Sequence, residues 1–414
     1  MRIALVTNSY QPNLNGVSVA VRNLELALVE RGVEVFIITP KVPKVIYSDN
    51  VLAIRSTQTP KNISSDLRFP IFYSKVKDFL IENKIELLHS HDTIMGGLET
   101  VILAIELGIP CLHTYHTLLE SYEYFKLPGY KQFIRSYSQI VCDSYDGVIA
   151  LSDKIFTYLR EINVNTTIHA VPNIFLPPEV SADFDETVAE FTKNNGLDQT
   201  FNIITFGRVA KEKNLEQSIE LLAPLLKHYP TWRYIIAGGG PELENLKLIT
   251  KKLDLSDQII FSGPYSRSQI CSLARICKVF LCTSYSEVQP TTPLEAMYYD
   301  LPVVCVDDLA FGYLMKDGFN GYCQPLKSLG YFCEQIYLNP LLQKSLAINA
   351  QSTAAKICAT NPIQKYIDIY QQTINLNTIS EPKNFLFYNL LRNLLTTQKQ
   401  FDKLINSALV RPHL

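Results

Sequence analysis

Two carboxylates eight positions apart, Glu287 and Glu295, lie in the run Ser284-Tyr285-Ser286-Glu287-Val288-Gln289-Pro290-Thr291-Thr292-Pro293-Leu294-Glu295. A carboxylate accepts two hydrogen bonds at once, so Glu295 suits a diol such as ribose and Glu287 the hydroxyls of a sugar. Glutamates exposed at a helix start fit the same spacing, because negative side chains are favoured at a helix N-terminus. Upstream, Gly207-Arg208-Val209-Ala210-Lys211-Glu212-Lys213 leaves an apolar run. Arg208 and Lys213 at a strand's carboxyl end could neutralise a diphosphate. A solvated charged loop is the competing reading. Gly238-Gly239-Gly240-Pro241 follows another apolar run, with Pro241 suited to a first helical turn. Leu243 stands where a dinucleotide fingerprint needs its third glycine, so NAD binding is not supported. Near the start, Gly16 opens an amphipathic run, where backbone N–H groups can approach an anion. His113-Thr114-Tyr115-His116-Thr117 closes a further run. An imidazole there can donate to a sugar hydroxyl or serve a reacting centre. For His113 a packed structural role competes; His116 is expected to face a cleft.

The elements that must position these residues follow from the hydrophobic pattern. Residues 3–7, 33–39, 87–90, 110–114 and 148–151 are nearly continuous apolar runs, which predicts strands buried on both faces. Helical patterns lie between them, at 17–31 and 72–83 for example. Strands alternating with helices predict right-handed crossovers and a parallel sheet covered on both sides. The pattern pauses after residue 172 and restarts with predicted strands at 202–206, 233–237, 258–262, 278–282 and 301–306. The expectation is two Rossmann-like domains facing a central cleft: 1–175, a linker at 176–199, 200–361, and a helical tail at 362–414 that packs back on the first domain.

Composition excludes several classes of function. Of 414 residues 47% are hydrophobic and 19% charged, which is incompatible with intrinsic disorder. Lys and Arg number 38 against 40 Asp and Glu, so the net charge of −2 provides no general attraction to nucleic acid. The nine cysteines are odd in number, and Cys271, Cys277 and Cys282 lack the spacing of a zinc knuckle, so they are expected to be reduced thiols of a cytoplasmic protein. The apolar stretch after Met1-Arg2 is too short for a signal-peptide core, and no run approaches a membrane span.

Taken in order, Asn15-Gly16-Val17, His113-Thr-Tyr-His116-Thr, Val171-Pro172-Asn173, Gly207-Arg208 with Lys213, Gly238-Gly-Gly240-Pro241, and Glu287 with Glu295 resemble family 4 of the retaining glycosyltransferases. Those enzymes have the two-domain GT-B fold and use nucleotide sugars. The similarity spans residues 1–370 and, within the family, is greatest to enzymes that transfer glucose to diacylglycerol. The resemblance implies that Arg208 and Lys213 hold the donor diphosphate, Glu295 the ribose, and Glu287 the transferred sugar. It implies Gly16 at the phosphates, His116 near the anomeric carbon, Gly240, Thr291 and Thr292 lining the donor site, and Asn173 and Tyr115 on the sugar or acceptor side. A UDP-sugar is the favoured donor and no metal or other cofactor is required. The acceptor is a lipid at the inner face of a membrane; a soluble glycan or protein acceptor, or a silent GT-B scaffold, are the alternatives. Pro290 and Asp300 stand where relatives usually have glycine, so a reshaped donor loop is expected, with Asp300 avoiding a positive φ.

Two segments carry the expected membrane contact, with packing of the tail across the first domain as ordinary core the alternative for the second. Residues 122–135 mix aromatics with Lys126, Lys131 and Arg135, and residues 382–414 mix five basic residues with near-helical apolar spacing.

Overall fold

The computed structural model describes residues 1–11, 15–54, 56–58, 68–70, 73–93, 95–121, 129–177 and 184–376. The chain divides into two compact units, the first formed by Met1–Leu151, Ile155–Ile174 and the segment from Pro362 on, the second by Ser152–Lys154 and Phe175–Asn361.

Unit 1 contains β1 (Arg2–Val6), β2 (Glu34–Pro40), β3 (Val51–Ile54), the antiparallel pair β4 (Ser56–Gln58) and β5 (Arg68–Pro70), then β6 (Leu87–Ser90), β7 (Cys111–Tyr115), β8 (Gly147–Ala150) and β9 (Thr167–Ala170). Seven of these form one parallel sheet in the order β3-β2-β1-β6-β7-β8-β9. Its central strands are apolar on both faces, with Ile3, Leu5, Ile37, Leu87, Leu88 and Leu112 wholly buried, because helices cover both sides of a parallel sheet. The order reverses between β1 and β6, which marks the carboxyl ends of these two strands as the place for a ligand. The helix Ile363–Leu376 belongs to this unit, and its Tyr366 and Tyr370 are buried there.

Unit 2 contains β10 (Phe201–Phe206), β11 (Trp232–Ala237), β12 (Ile259–Phe261), β13 (Val279–Cys282), β14 (Val303–Val306) and β15 (Gly321–Gln324). They form a parallel sheet in the order β12-β11-β10-β13-β14-β15, and the reversal lies between β10 and β13. Trp232, Tyr234, Phe280 and Phe311 anchor its core. Residues 176–199, read above as a linker, contain the helix Glu186–Asn194, capped by Asp185, with Val188 and Leu197 buried in this core. Its acidic composition lies on an exposed face; one apolar stripe is enough to dock a helix.

All nine cysteines are unpaired, and Cys323 and Cys358 are only half-buried. Among the described residues no helix is long and apolar enough to cross a membrane. The expected membrane segments lie outside the described residues at 122–128 and 382–414. In the described remainder Phe133 is exposed and Arg135 is paired with Glu120 at 2.7 Å.

Candidate active site

In unit 2 the chain leaves β10 and β11 side by side, and the two loops pack backbone against backbone. Gly207 N–H donates to the Ala237 carbonyl (3.0 Å) and Val209 N–H to the Gly239 carbonyl (2.9 Å). A Cβ on Gly238 would lie 1.8 Å from the Gly207 carbonyl oxygen, and one on Gly240 would lie 2.1 Å from that of Val209. These glycines are therefore required by loop packing before any ligand is considered. The turn Lys211–Lys213 ends on Asn214 in the left-handed region, φ 57°. It is tied to the end of β13: Thr283 Oγ1 donates to the Lys213 and Asn214 carbonyls, and Ser284 and Ser286 both donate to the Glu212 carbonyl.

That lacing places Lys213 Nζ 2.6 Å from Glu287 Oε1 at the reversal point of the sheet. Burial would push the Glu287 carboxyl up, but the Lys213 ammonium and a hydrogen bond from Ser284 outweigh it and hold the group below the usual carboxylate range. Arg208, 38% exposed, lies 3.7 Å from Glu212, a loose contact, and among the described residues its guanidinium makes no close hydrogen bond. Thr291 and Thr292 begin the helix Thr291–Tyr298, whose N-cap, Pro290, supplies no side-chain bond to the first turn. Thr292 borders Gly207, its Cγ2 3.7 Å from where a Cβ would stand. Unpaired amides at a helix start attract anions. Pro290 itself accepts a hydrogen bond from the Tyr313 hydroxyl at its carbonyl (2.9 Å). The expectation for Asp300 fails: it sits at φ 62° after the helix. Aspartate is among the few residues that enter this region without glycine's freedom.

Glu295 lies in the same helix, nearly buried, with its Oε1 2.6 Å from Arg267 Nη2. Here burial prevails over the arginine, and the carboxyl is raised. Arg267, the first residue of its helix, went unnoticed in the sequence because nothing local connects it to a residue 28 positions on.

In unit 1 the residues fall at the carboxyl ends of β1, β6 and β7. Gly16 opens the helix Gly16–Glu30 with open space beside its Cα, but Asn15 already caps that helix by accepting from Ser18 N–H. Tyr115 points into the core of unit 1. Its ring is wholly buried and its hydroxyl shares a hydrogen bond with Ser138 (3.0 Å), so β7 directs it into the core. His113 is packed too, bonded to the Ser90 carbonyl (3.2 Å) and Thr93 (3.3 Å), and burial lowers it to about 4. His116 is half-buried, with Nε2 2.8 Å from Nδ1 of His91; burial, then His113, lowers it to about 3, so its ring is neutral at physiological pH. Asn173 lies half-buried in the loop after β9.

His91 and Asp92, outside every motif singled out above, follow β6 directly at the reversal point of this sheet. Burial, against a backbone hydrogen bond from Asn8, pushes the Asp92 carboxyl up to about 8, and its Oδ2, like Asn8 Oδ1, is buried with no hydrogen-bond partner among the described residues. The signal was the string His89-Ser90-His91-Asp92 at a strand end.

Two Rossmann-like units with these sheets are the pair of domains found in the GT-B fold. The chain matches Glycosyltransferase Family 4 over residues 14–175 and Glycosyl transferases group 1 over residues 188–337, together well over half its length, and it belongs to the family 4 glycosyltransferases. It is 28% identical to alpha-monoglucosyldiacylglycerol synthase of Streptococcus pneumoniae over 335 residues, covering 78% of this chain and 74% of that protein. It is 24% identical to the enzyme of the same name from Acholeplasma laidlawii over 387 residues, 89% of this chain and 97% of that one. Among solved structures, Anabaena HepE in complex with UDP-glucose superposes with a TM-score of 0.68 at 18% identity, covering 89% of this chain and all (100%) of that one.

Proposed function

We propose that this protein is a retaining hexosyltransferase that takes glucose from UDP-glucose and places it on a lipid acceptor of the diacylglycerol kind, working in the cytoplasm at a membrane face. The observation that carries the reading is the Lys213–Glu287 pair at the reversal point of unit 2, with Arg208 uncommitted nearby. The two diacylglycerol-glucosylating relatives support the lipid acceptor, and the UDP-glucose complex of HepE supports the donor. In this reading Arg208 and Lys213 hold the diphosphate, with Gly16, Gly240, Thr291 and Thr292 at the phosphates. As the bond to the anomeric carbon breaks, negative charge grows on the leaving diphosphate, and two fixed cations act most strongly there. Glu287, kept ionised by Lys213, accepts from the sugar hydroxyls; Glu295 accepts from the ribose diol. His116 serves the sugar, and Asn173 the sugar or acceptor side. The acceptor attacks from the face the diphosphate leaves, which gives retention.

The test incubates the purified protein with UDP-glucose, UDP-N-acetylglucosamine or GDP-mannose, with and without anionic vesicles containing diacylglycerol. UDP release from UDP-glucose that depends on diacylglycerol, with an α-linked product by NMR, is expected. Turnover on a soluble glycan and not on vesicles would replace the lipid acceptor; a β-linked product would overturn retention; no release from any donor would leave a binding scaffold.

Glu295→Gln and Glu287→Gln should differ in kind. A ribose contact is made equally in ground and transition states, so Glu295→Gln should chiefly raise the donor KM, about tenfold, while Glu287→Gln should chiefly lower kcat. Arg267→Ala adds a pH signature. Without the guanidinium, burial drives the Glu295 carboxyl higher still, so it protonates and stops accepting from the ribose at a higher pH. Donor KM should therefore climb on acidification earlier in Arg267→Ala than in the parent; coincident pH profiles would remove Arg267 from the donor site.

A further inference from the structure

We propose that His91 is the positioning residue for His116: it donates its Nδ1–H to Nε2 of His116, and thereby makes Nδ1–H of His116 the group presented to the sugar. The inference rests on the reading that His116 serves the reacting sugar. The two nitrogens are 2.8 Å apart and the rings lie 5.1 Å centre to centre. His91 is 4% exposed and fixed from three sides. Its backbone N–H donates to the Val6 carbonyl at the end of β1 (2.8 Å), and its ring packs 4.2 Å from that of His89. His89 is held in turn at both nitrogens, Nδ1 to the Tyr370 hydroxyl and Nε2 to Thr114 Oγ1, each 2.7 Å. A file of contacting rings thus runs from Tyr370 of the helix Ile363–Leu376 through His89 and His91 to His116.

The direction of the proton follows from the other end of His91. Among the described residues its Nε2 is buried with no hydrogen-bond partner. If His116 donated to His91, His91 would carry its proton on Nε2 and bury an orphaned N–H. Orphaned donors in protein interiors are rarer than orphaned acceptors. The proton on His91 Nδ1 leaves only a lone pair at Nε2, so His116 must accept at Nε2 and carry its own proton on Nδ1. His116 is then a fixed hydrogen-bond donor toward a sugar oxygen, and abstracting a proton is not its task.

Nitrogen-15 NMR of the full-length protein labelled at histidine reads the tautomer directly. The His116 signals, assigned by their loss in His116→Ala, should show a protonated Nδ1; a protonated Nε2 would overturn the proposal. Two variants give a second readout. Asparagine places an amide N–H about where His91 Nδ1–H stands, so His91→Asn should keep the His116 tautomer and turn over within about threefold of the parent. His91→Leu removes the donor, so His116 should revert to the Nε2–H form and kcat should fall by about 10–100-fold, as when the partner orienting a functional imidazole is lost, with the donor KM within about threefold. Parental kcat in a folded His91→Leu would overturn the positioning role. If His116→Ala itself kept the parental rate, the functional reading of His116 would fall, while the nitrogen shifts would still decide the tautomer.

Discussion

Replacing Lys213 by alanine is expected to lower kcat/KM by about 10²-fold or more, the effect of losing one preorganised charge contact to a developing anion, and to destabilise unit 2 as well. The two losses have different causes. Activity falls because a cation aimed at the leaving diphosphate is gone. Stability falls because Glu287, 13% exposed, loses the ammonium 2.6 Å away. Lys213 is itself 31% exposed, so the cost lies between that of a surface pair and that of a fully buried one, about 1–3 kcal/mol. The pH dependence identifies the source. With Lys213 present, the folded-state pKa of Glu287 is below its unfolded value, so the pair's contribution is full above the unfolded pKa and is lost as pH falls through the folded one. Without Lys213, only the Ser284 hydrogen bond and the charge of Lys154 oppose burial, the carboxyl rises, and acidification relieves the variant. The Tm gap between parent and Lys213→Ala should therefore be widest near neutrality and close below about pH 4. The double variant Lys213→Ala with Glu287→Gln should recover stability and not turnover. Arg208→Ala should show the rate loss alone, since Arg208 is exposed and makes no close ion pair. A parental rate in both single variants would refute the diphosphate assignment, and a Tm gap indifferent to pH would separate Lys213 from the charge state of Glu287.

How far such residues could be read from sequence depended on whether their signal was local. Every strand buried on both faces was visible as an apolar run within a residue or two of its observed ends. Five strands escaped: β4 and β5, three residues each, pair only with one another, while β3, β9 and β15 lie at sheet edges and are half-exposed along much of their length. An edge strand needs no continuous apolar run, so composition does not mark it. The helix Glu186–Asn194 was missed for a related reason, its buried stripe being only Val188 and Thr192 within a polar segment. At the site, Lys213, Glu287 and Glu295 were apparent from type and spacing. Their partners were not: Lys213 meets Glu287 across 74 positions, Glu295 meets Arg267 across 28, and His116 meets His91 across 25. Each pairing is created by which strands become neighbours. Tyr115 shows the converse, since position in a motif suggested a ligand while its place on β7 turned it into the core.

Gly238→Ala should be among the most damaging single changes in unit 2, although alanine is small and Gly238 needs no positive φ. β10 and β11 run parallel with Phe206 opposite Ala237, so Gly207 and Gly238 leave the sheet shoulder to shoulder. The added methyl would stand 1.8 Å from the Gly207 carbonyl oxygen and 3.0 Å from its carbon. No side chain can rotate away, because the obstacle is backbone; the loop carrying Arg208 must shift by more than an ångström. That movement strains the bonds from Gly207 N–H to Ala237 and from Val209 N–H to Gly239. Overpacking against backbone of this kind costs about 2–4 kcal/mol, which lowers Tm by roughly 5–10 °C in a unit of this size. Displacing Arg208 by about 1 Å should also reduce turnover by about 10²-fold, since positioning errors of that size are costly at a reacting centre. The neighbouring glycine supplies the control. A Cβ on Gly239 meets nothing nearer than Pro264 Cδ at 3.9 Å, ordinary contact, so Gly239→Ala should melt within about 2 °C of the parent. Thermal melts and donor turnover of the two variants, measured together, decide the matter. If Gly238→Ala proved as stable and active as Gly239→Ala, the close approach of the loops would not be what orients Arg208, and the role of these glycines would have to be sought in a direct approach to the phosphates.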